Sequence, residues 1–93
     1  MRSILFTVDR LEFVGSDQFM VAGRNCRDEL RRGDRLSLIK GCSTEQTEVL
    51  VDQIKMYDRI VGEVAHGHTA GLLFSNNLAA HFRLGSELHG EIG

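Results

Sequence analysis

The residues best suited to bind a ligand are arginines crowded into one short segment of the chain. Residues 24–35, called the Arg segment below, hold five arginines and three acidic residues: Arg24, Arg27, Arg31, Arg32 and Arg35, with Asp28, Glu29 and Asp34. A guanidinium donates in a planar fork to phosphate or carboxylate. The segment carries a net charge of +2 and the remaining chain −4. Two interpretations stay open: a surface that binds RNA phosphates or an acidic protein partner, and a solvated turn crossed by salt bridges, which the interspersed acids favour because they weaken the local field.

Metal-ligating side chains are also present. The chain has four histidines and two cysteines: His66, His68, His81, His89, Cys26 and Cys42. Zinc sites take three or four such ligands, and no third ligand stands at a suitable spacing beside His66 and His68. We interpret this pair as solvated loop histidines and expect no metal. The cysteines lack a Cys-x-x-Cys spacing, so we expect reduced thiols packed as small apolar side chains, with a single disulfide as the alternative.

Motifs for catalysis and for nucleotide binding are missing from the sequence. There is no Gly-x-Ser-x-Gly motif of the kind that presents a nucleophilic serine. There is also no Gly-x-x-x-x-Gly-Lys-Ser/Thr loop, whose backbone amides would bind phosphates. The chain is therefore expected to be a non-enzyme that binds no GTP and no cofactor.

Composition limits the classes of protein to consider. The chain has 93 residues, of which 42% are hydrophobic and 26% charged, and a net charge of −2. These values are ordinary for a folded globular domain, so we expect a single domain over residues 1–93. The acidic excess disfavours a general phosphate binder. No apolar run reaches the roughly 18 residues of a membrane span, and no secretory leader is evident, so we expect a cytoplasmic protein.

Short apolar runs separated by glycine, with no proline, predict the elements that must position these residues. Alternating hydrophobicity predicts strands over 3–14, 18–24, 34–40 and 45–57. A nearly continuous apolar run predicts a strand over 69–75 that is buried on both faces, and 86–92 is expected to be the last strand. A shift of parity between Val51 and Ile54 predicts a bulge or corner. Residues 57–67 are expected to be a connector, and 76–84 a helical turn. The predicted fold is all-β, a small closed antiparallel β-barrel of six to seven strands.

The apolar parity of each run predicts the core. The expected core residues are Phe6, Val21, Leu36, Leu38, Val51, Ile54, Leu72 and Phe74. Gly33 is expected to close a turn that needs a positive φ. Gly71 is expected to allow two backbones to approach closely.

Several motifs in order along the chain resemble a known family. They are Phe6-Thr-Val8, Val21-Ala-Gly-Arg24, Leu30-Arg-Arg-Gly-Asp-Arg-Leu36, Val51-Asp-Gln-Ile-Lys-Met-Tyr57, Gly71-Leu-Leu-Phe74 and Leu84-Gly-Ser-Glu-Leu88. Together they resemble the second domain of translational GTPases of the elongation factor Tu type. The resemblance extends over about residues 5–90 and implies a small antiparallel β-barrel.

The resemblance also implies where a ligand would bind. In this family the barrel follows a GTP-binding domain, whose phosphate-binding motif this sequence does not contain. The family's barrel helps to hold the aminoacyl end of transfer RNA. Its pocket uses an aromatic residue, a threonine and an asparagine, near the positions of Glu12, Ala22 and Thr69 here, and this sequence retains none of the three. The family's barrel can also contact ribosomal RNA.

These observations favour a stand-alone, non-catalytic binding module that acts near translation. Its contact with RNA or a translation component is expected at the five arginines of the Arg segment. The alternative is a protein–protein adaptor or a self-associating structural barrel with no nucleic-acid role. The sequence does not identify the partner, which is either an RNA or a protein. We expect the chain to bind neither GTP nor a membrane. Self-association into a homo-oligomer is left as an open alternative.

Overall fold

The fold was analysed in a computed structural model of the chain. The structure describes residues 2–13, 15, 17–39, 46–57, 59–75, 82 and 84–92. The predicted helical turn over 76–84 lies outside this set except for Phe82 and Leu84, and so do Cys42 and His81.

Ten strands form the described part of the chain. They are β1 (Arg2–Phe13), β2 (Gln18–Asn25), β3 (Leu30–Arg31), β4 (Arg35–Ile39), β5 (Gln46–Leu50), β6 (Gln53–Met56), β7 (Arg59–Val61), β8 (Glu63–Val64), β9 (Thr69–Ser75) and β10 (Glu87–Ile92). All paired strands are antiparallel. The described residues include no helix, and the all-β prediction is confirmed.

The strands form two sheets. The larger sheet has eight strands in the order β5-β4-β10-β1-β2-β9-β6-β7, and β3 pairs with β8 in a smaller one. In the described strands the ladder of the larger sheet has two ends and does not close on itself. The chain nevertheless passes from β5 to β6 through only Val51 and Asp52, so the two sides of the sheet must curve toward each other.

The strand count differs from the predicted six to seven for two reasons. The run over 45–57 divides into β5 and β6 at Val51 and Asp52, which confirms the break predicted from the parity shift. The connector predicted over 57–67 is wrong, because β7 and β8 lie there and β8 pairs with β3. Strands of two or three residues are too short to show alternation, so their distant partners define them.

The core prediction is confirmed. All eight predicted core residues are buried, with no more than 1% of any side chain exposed. β9 is buried on both faces from Ala70 to Phe74, as its continuous apolar sequence indicates. An aromatic cluster adds to this core: the ring of Phe82 lies 5.3 Å from Phe19 and 5.1 Å from Phe74, between centroids.

Three glycines, Gly23, Gly71 and Gly90, lie where an added Cβ would come within 3 Å of a neighbouring atom, and the sequence predicted close packing only at Gly71. Gly33 has the predicted positive φ, 87°. A Cβ on Gly71 would collide with the side chain of Met20. Gly71 is therefore packed against a side chain, and the prediction that two backbones approach there is wrong. The backbone approach occurs instead at Gly23, where a Cβ would collide with the carbonyl group of Thr7. The pairing of β1 with β2 therefore requires glycine at position 23.

We expect truncation of the core to destabilise the protein strongly. Leu72→Ala and Phe74→Ala should each lower the free energy of unfolding by about 2–5 kcal/mol, since each leaves a cavity in a close-packed interior. Urea denaturation followed by circular dichroism measures this change. Ile60→Ala is the control, because more than half of that side chain is exposed. Equal losses in core and control variants would contradict the assignment of the core.

The two glycine environments give a matched pair of variants. Gly23→Ala should destabilise the protein by about 1–3 kcal/mol or prevent folding, because a backbone carbonyl has no rotamer into which it can move. Gly62→Ala should be close to neutral, because a methyl group added there would meet no atom of the described residues within 4 Å. Thermal unfolding compares the two. Similar melting temperatures would show that β1 and β2 do not approach as closely as described.

Candidate functional site

The Arg segment runs from the end of β2, through a loop, across β3 and a turn, to the start of β4. Arg24 lies on β2, Arg31 on β3, and Arg35 begins β4. Arg27 lies in the loop after β2, and Arg32 lies in the turn before Gly33. All five side chains are exposed. The structure therefore places every predicted binding residue where a macromolecule could reach it.

Asp34 anchors this segment to the first strand. The guanidinium of Arg2 donates from both terminal nitrogens to the two carboxylate oxygens of Asp34, each at 2.9 Å. Asp34 also accepts from the backbone N–H of Arg31 at 2.8 Å, and Arg2 donates to the carbonyl of Glu29 at 2.9 Å. The Asp34 side chain is only 8% exposed. These contacts fix the position of the turn relative to β1.

The electrostatics of Arg2 follow from the same contacts. The hydrogen bonds to Asp34 raise the pKa of the Arg2 guanidinium above its usual value, although partial desolvation opposes this. The charge of Asp34 and the nearby carboxylates of Glu29 and Asp28 raise it further. Arg2 is therefore a permanent cation that neutralises Asp34. Toward solvent, the Arg segment presents five arginines against Asp28 and Glu29.

Only two of the five arginines meet a carboxylate within the described residues. Arg31 pairs with Glu29 at 3.1 Å, and Arg35 pairs with Glu48 at 3.3 Å. These pairs are exposed and are worth little. The other three guanidiniums have neutral partners or none: Arg27 donates to Ser3 Oγ at 3.4 Å, Arg32 donates to the carbonyl of Asp52 at 3.2 Å, and Arg24 meets no described acceptor. Their positive charges are available to a ligand.

Asn25 organises the backbone around these arginines, a role that the sequence did not reveal. Its side chain is fully buried. Its amide nitrogen donates to the carbonyls of Asp28 at 2.8 Å and Val64 at 2.9 Å, and its oxygen accepts from the N–H of Arg27 at 3.4 Å. A buried amide with three partners holds the loop after β2 against the end of β8.

A groove lies on the outer face of four neighbouring strands. Arg10, Ala22, Gly71 and Lys55 stand opposite one another across β1, β2, β9 and β6. The groove has a volume of about 610 Å³, and Met20, whose side chain covers Gly71, also lines it. Glu12, Ala22 and Thr69 all line this groove. The structure thus brings together the three positions that the resemblance assigned to one pocket.

The rim of this groove includes a strained tyrosine. Tyr57 follows β6 with a φ of 56°, and its side chain is 94% exposed. A positive φ costs a non-glycine residue about 1–2 kcal/mol. The charges around the groove are mixed, since Arg10 and Lys55 face Asp9 and Glu12. Its electrostatic preference is therefore weaker than that of the Arg segment.

The histidines and the described cysteine show no metal centre. His66 and His68 are exposed in the loop before β9, and His89 Nε2 lies 3.1 Å from Glu87 Oε1 on β10. Within the described ranges, no three His, Cys, Asp or Glu side chains come together as metal ligands would. Cys26 is a free, partly buried thiol, 3.7 Å from the carbonyl of Arg24.

Comparison with solved structures shows the fold. The chain superimposes on translation elongation factor SelB from Methanococcus maripaludis, both in its apo form and in complex with the GTP analogue GppNHp. For each structure the TM-score is 0.78 with 17% sequence identity, and the match includes 96% of this chain. SelB is an elongation factor of the Tu type. The chain therefore has the fold of a segment of such a factor, consistent with the resemblance to the second domain.

Other comparisons add limits to this likeness. The chain spans 19% of the length of the SelB chains that it matches. No protein-family model matches the sequence, and no curated protein matches it. Among the described residues, no helix is long and apolar enough to cross a membrane.

We expect the ion pair of Arg2 and Asp34 to stabilise the fold. Asp34→Asn should lower the free energy of unfolding by about 2 kcal/mol, because it leaves Arg2 without its anionic partner and weakens charge-assisted hydrogen bonds. Guanidinium denaturation measures the loss. Glu48→Gln, which removes the exposed partner of Arg35, should change stability by less than about 0.5 kcal/mol. Equal effects at the two positions would show that the buried pair contributes no more than a surface pair.

Proposed function

We propose that this chain is a non-catalytic binding module that acts in translation and contacts RNA through the Arg segment. One observation carries the proposal: Arg2 neutralises Asp34 internally, and three exposed guanidiniums, of Arg24, Arg27 and Arg32, have no carboxylate partner among the described residues. Arginines with unpaired charge are what phosphate groups bind. The fold shared with an elongation factor supports the translation setting.

The small negative net charge is compatible with this proposal. A ligand responds to the charges nearest the surface that it approaches, since charges are screened over about 10 Å at ordinary ionic strength. The Arg segment is locally positive, and the acidic excess lies in the rest of the chain. This asymmetry would confine a polyanion to one side of the molecule and orient it there.

The proposal includes a closed barrel, a cytoplasmic location and no reaction with GTP. Closure is supported by the residues between β5 and β6. The N–H of Val51 donates to the carbonyl of Asp34 at 3.1 Å, and the N–H of Asp52 donates to the carbonyl of Leu73 on β9 at 3.2 Å. These bonds link the two sides of the sheet across the point where its ladder has no paired strand. The cytoplasm is where an RNA partner engaged in translation would be found.

A second candidate function is a protein–protein adaptor or self-associating module. It is favoured by large apolar side chains that are exposed, above all Tyr57 at 94%, Phe13 at 74% and Leu84 at 70%. Exposed aromatic side chains are enriched at protein interfaces. These residues lie on different strands and turns, whereas the Arg segment is one continuous feature, and for this reason we rank RNA binding first.

Charge reversal tests the RNA proposal. Arg27→Glu/Arg32→Glu should weaken binding of a labelled oligouridylate by roughly 30-fold or more, because two attractive contacts become repulsive. The fold should be retained, since both side chains are exposed. Fluorescence anisotropy over a series of salt concentrations measures affinity, and the slope against salt should become shallower in the variant. Arg31→Glu should have a smaller effect than Arg32→Glu, because Arg31 is already paired with Glu29.

Arg59→Glu is the matched control for Arg32→Glu, since it makes the same charge change at an exposed position on β7. It should reduce affinity no more than about threefold, through the overall charge alone. Failure of the unaltered protein to bind RNA at low salt would refute the proposal. Equal losses for Arg59→Glu and Arg32→Glu would show a general charge effect with no defined surface.

A further inference from the structure

The two exposed histidines lie on a turn that is fastened to the Arg segment. His66 and His68 flank Gly67, whose positive φ of 83° reverses the chain just before β9. The N–H of Gly67 donates to the carbonyl of Asn25 at 2.7 Å, and the N–H of Asn25 donates to the carbonyl of His68 at 2.9 Å. The turn is therefore paired with the backbone of the residue next to Arg24.

The side chain of Asn25 joins the same two loops a second time. It binds the carbonyl of Asp28 in the loop that contains Arg27, and the carbonyl of Val64 just before the histidine turn. The pairing of Arg24 with Thr69 continues the contact along β9. Arg24 and Asn25, the last two residues of β2, thus connect the histidine turn to the first arginines of the Arg segment.

The charged and titratable groups around the turn carry both signs, with four cations and three carboxylates. They belong to three neighbouring parts of the fold. The end of β2 and the loop after it contribute Arg24, Cys26, Arg27, Asp28 and Glu29. The paired strands β3 and β8 contribute Arg31 and Glu63, and β6 with the residue after it contributes Lys55 and Tyr57. Glu29 is occupied by Arg31. Neither imidazole is ion-paired with any residue that the structure describes, so a proton on either ring would find no internal counterion.

We propose that His66 and His68 extend the RNA-binding surface and make binding proton-linked, so that RNA is held more tightly as the pH falls below neutrality. This inference rests on the proposed RNA contact of the Arg segment. Phosphate oxygens supply the counterion that the protein itself does not provide. Binding RNA then favours protonation of both imidazoles, and by linkage protonation favours binding RNA.

The direction and size of the effect follow from histidine chemistry. Histidine is the side chain whose charge most commonly changes in the physiological pH range. Two added charges increase the number of cationic groups available to phosphate, which strengthens binding and steepens its salt dependence. Unlike the histidines, arginine does not change charge in this range. A pH dependence of the RNA affinity would therefore report on the histidine turn and not on the five arginines.

The test measures affinity of the full chain for a rhodamine-labelled oligouridylate with a 5′-hydroxyl, whose phosphodiesters do not titrate near neutrality. Between about pH 7.5 and about pH 5.5, affinity of the unaltered protein should rise roughly tenfold. His66→Asn/His68→Asn should abolish most of this rise and leave affinity at the higher pH within about twofold of the unaltered protein. Calorimetry in two buffers of different ionisation enthalpy should show proton uptake that the double variant lacks.

His89→Asn is the matched control, because His89 is an exposed histidine on β10 whose ring already has a carboxylate partner, Glu87, at 3.1 Å. It should keep the full pH response. A pH-independent affinity of the unaltered protein, or a pH response that survives in the double variant, overturns the role of the histidine turn while the RNA contact stands. No binding at either pH overturns both proposals. Thermal unfolding of the double variant at both pH values verifies that it is folded.

Discussion

The bidentate ion pair of Arg2 and Asp34 is the contact on which the candidate surface depends. It joins the first residue of the central strand β1 to the turn that separates β3 from β4, across 32 positions of sequence. Burying two charges costs several kcal/mol, and the attraction between them repays this only when other hydrogen bonds satisfy the remaining lone pairs. Here the N–H of Arg31 and the carbonyl of Glu29 provide those bonds. The pair therefore specifies one position for the turn.

A second buried polar group works in the same way at the other end of the segment. Asn25 is fully buried, and its side chain holds the loop after β2 against the end of β8. Removing it would take a hydrogen-bond donor from the carbonyls of Asp28 and Val64, and leaving a buried carbonyl unsatisfied costs about 1–3 kcal/mol. Asn25 and Asp34 thus define the two ends of a surface made of loops. Loops held in this manner can present binding residues with the precision of a strand.

The sequence predicted those parts of the structure that local patterns determine. Alternation identified β1, β2 and β4, a continuous apolar run identified β9, and the parity of each run identified the core. It could not identify β3, β7 or β8, because two or three residues show no period and pairing defines them. The sequence also could not show that position 23 requires glycine, because the Thr7 carbonyl that excludes a side chain there belongs to another strand.

The sequence predicted which arginines form the candidate site, but it could not predict the contacts that hold them in place. Five clustered arginines were visible in the sequence, and the structure shows all five exposed. Arg2 was invisible as a member of the site, because its partner Asp34 is brought to it only by the fold. The groove was likewise beyond local patterns: it depends on a register that aligns Arg10, Ala22, Gly71 and Lys55 across four strands. The family resemblance identified three positions of the groove, Glu12, Ala22 and Thr69, whereas the composition of the chain identified none.

Net charge, which disfavoured phosphate binding at the level of composition, has a different meaning in the folded chain. Composition counts Asp34 as an acid of the Arg segment, whereas the structure removes that charge from the surface by pairing it with Arg2. Glu48 on β5 is paired with Arg35 of the segment, and Glu87 and Glu91 lie on β10, which pairs with β4. Acidic residues therefore border the Arg segment. In the proposed RNA complex they would restrict the orientation of the bound strand.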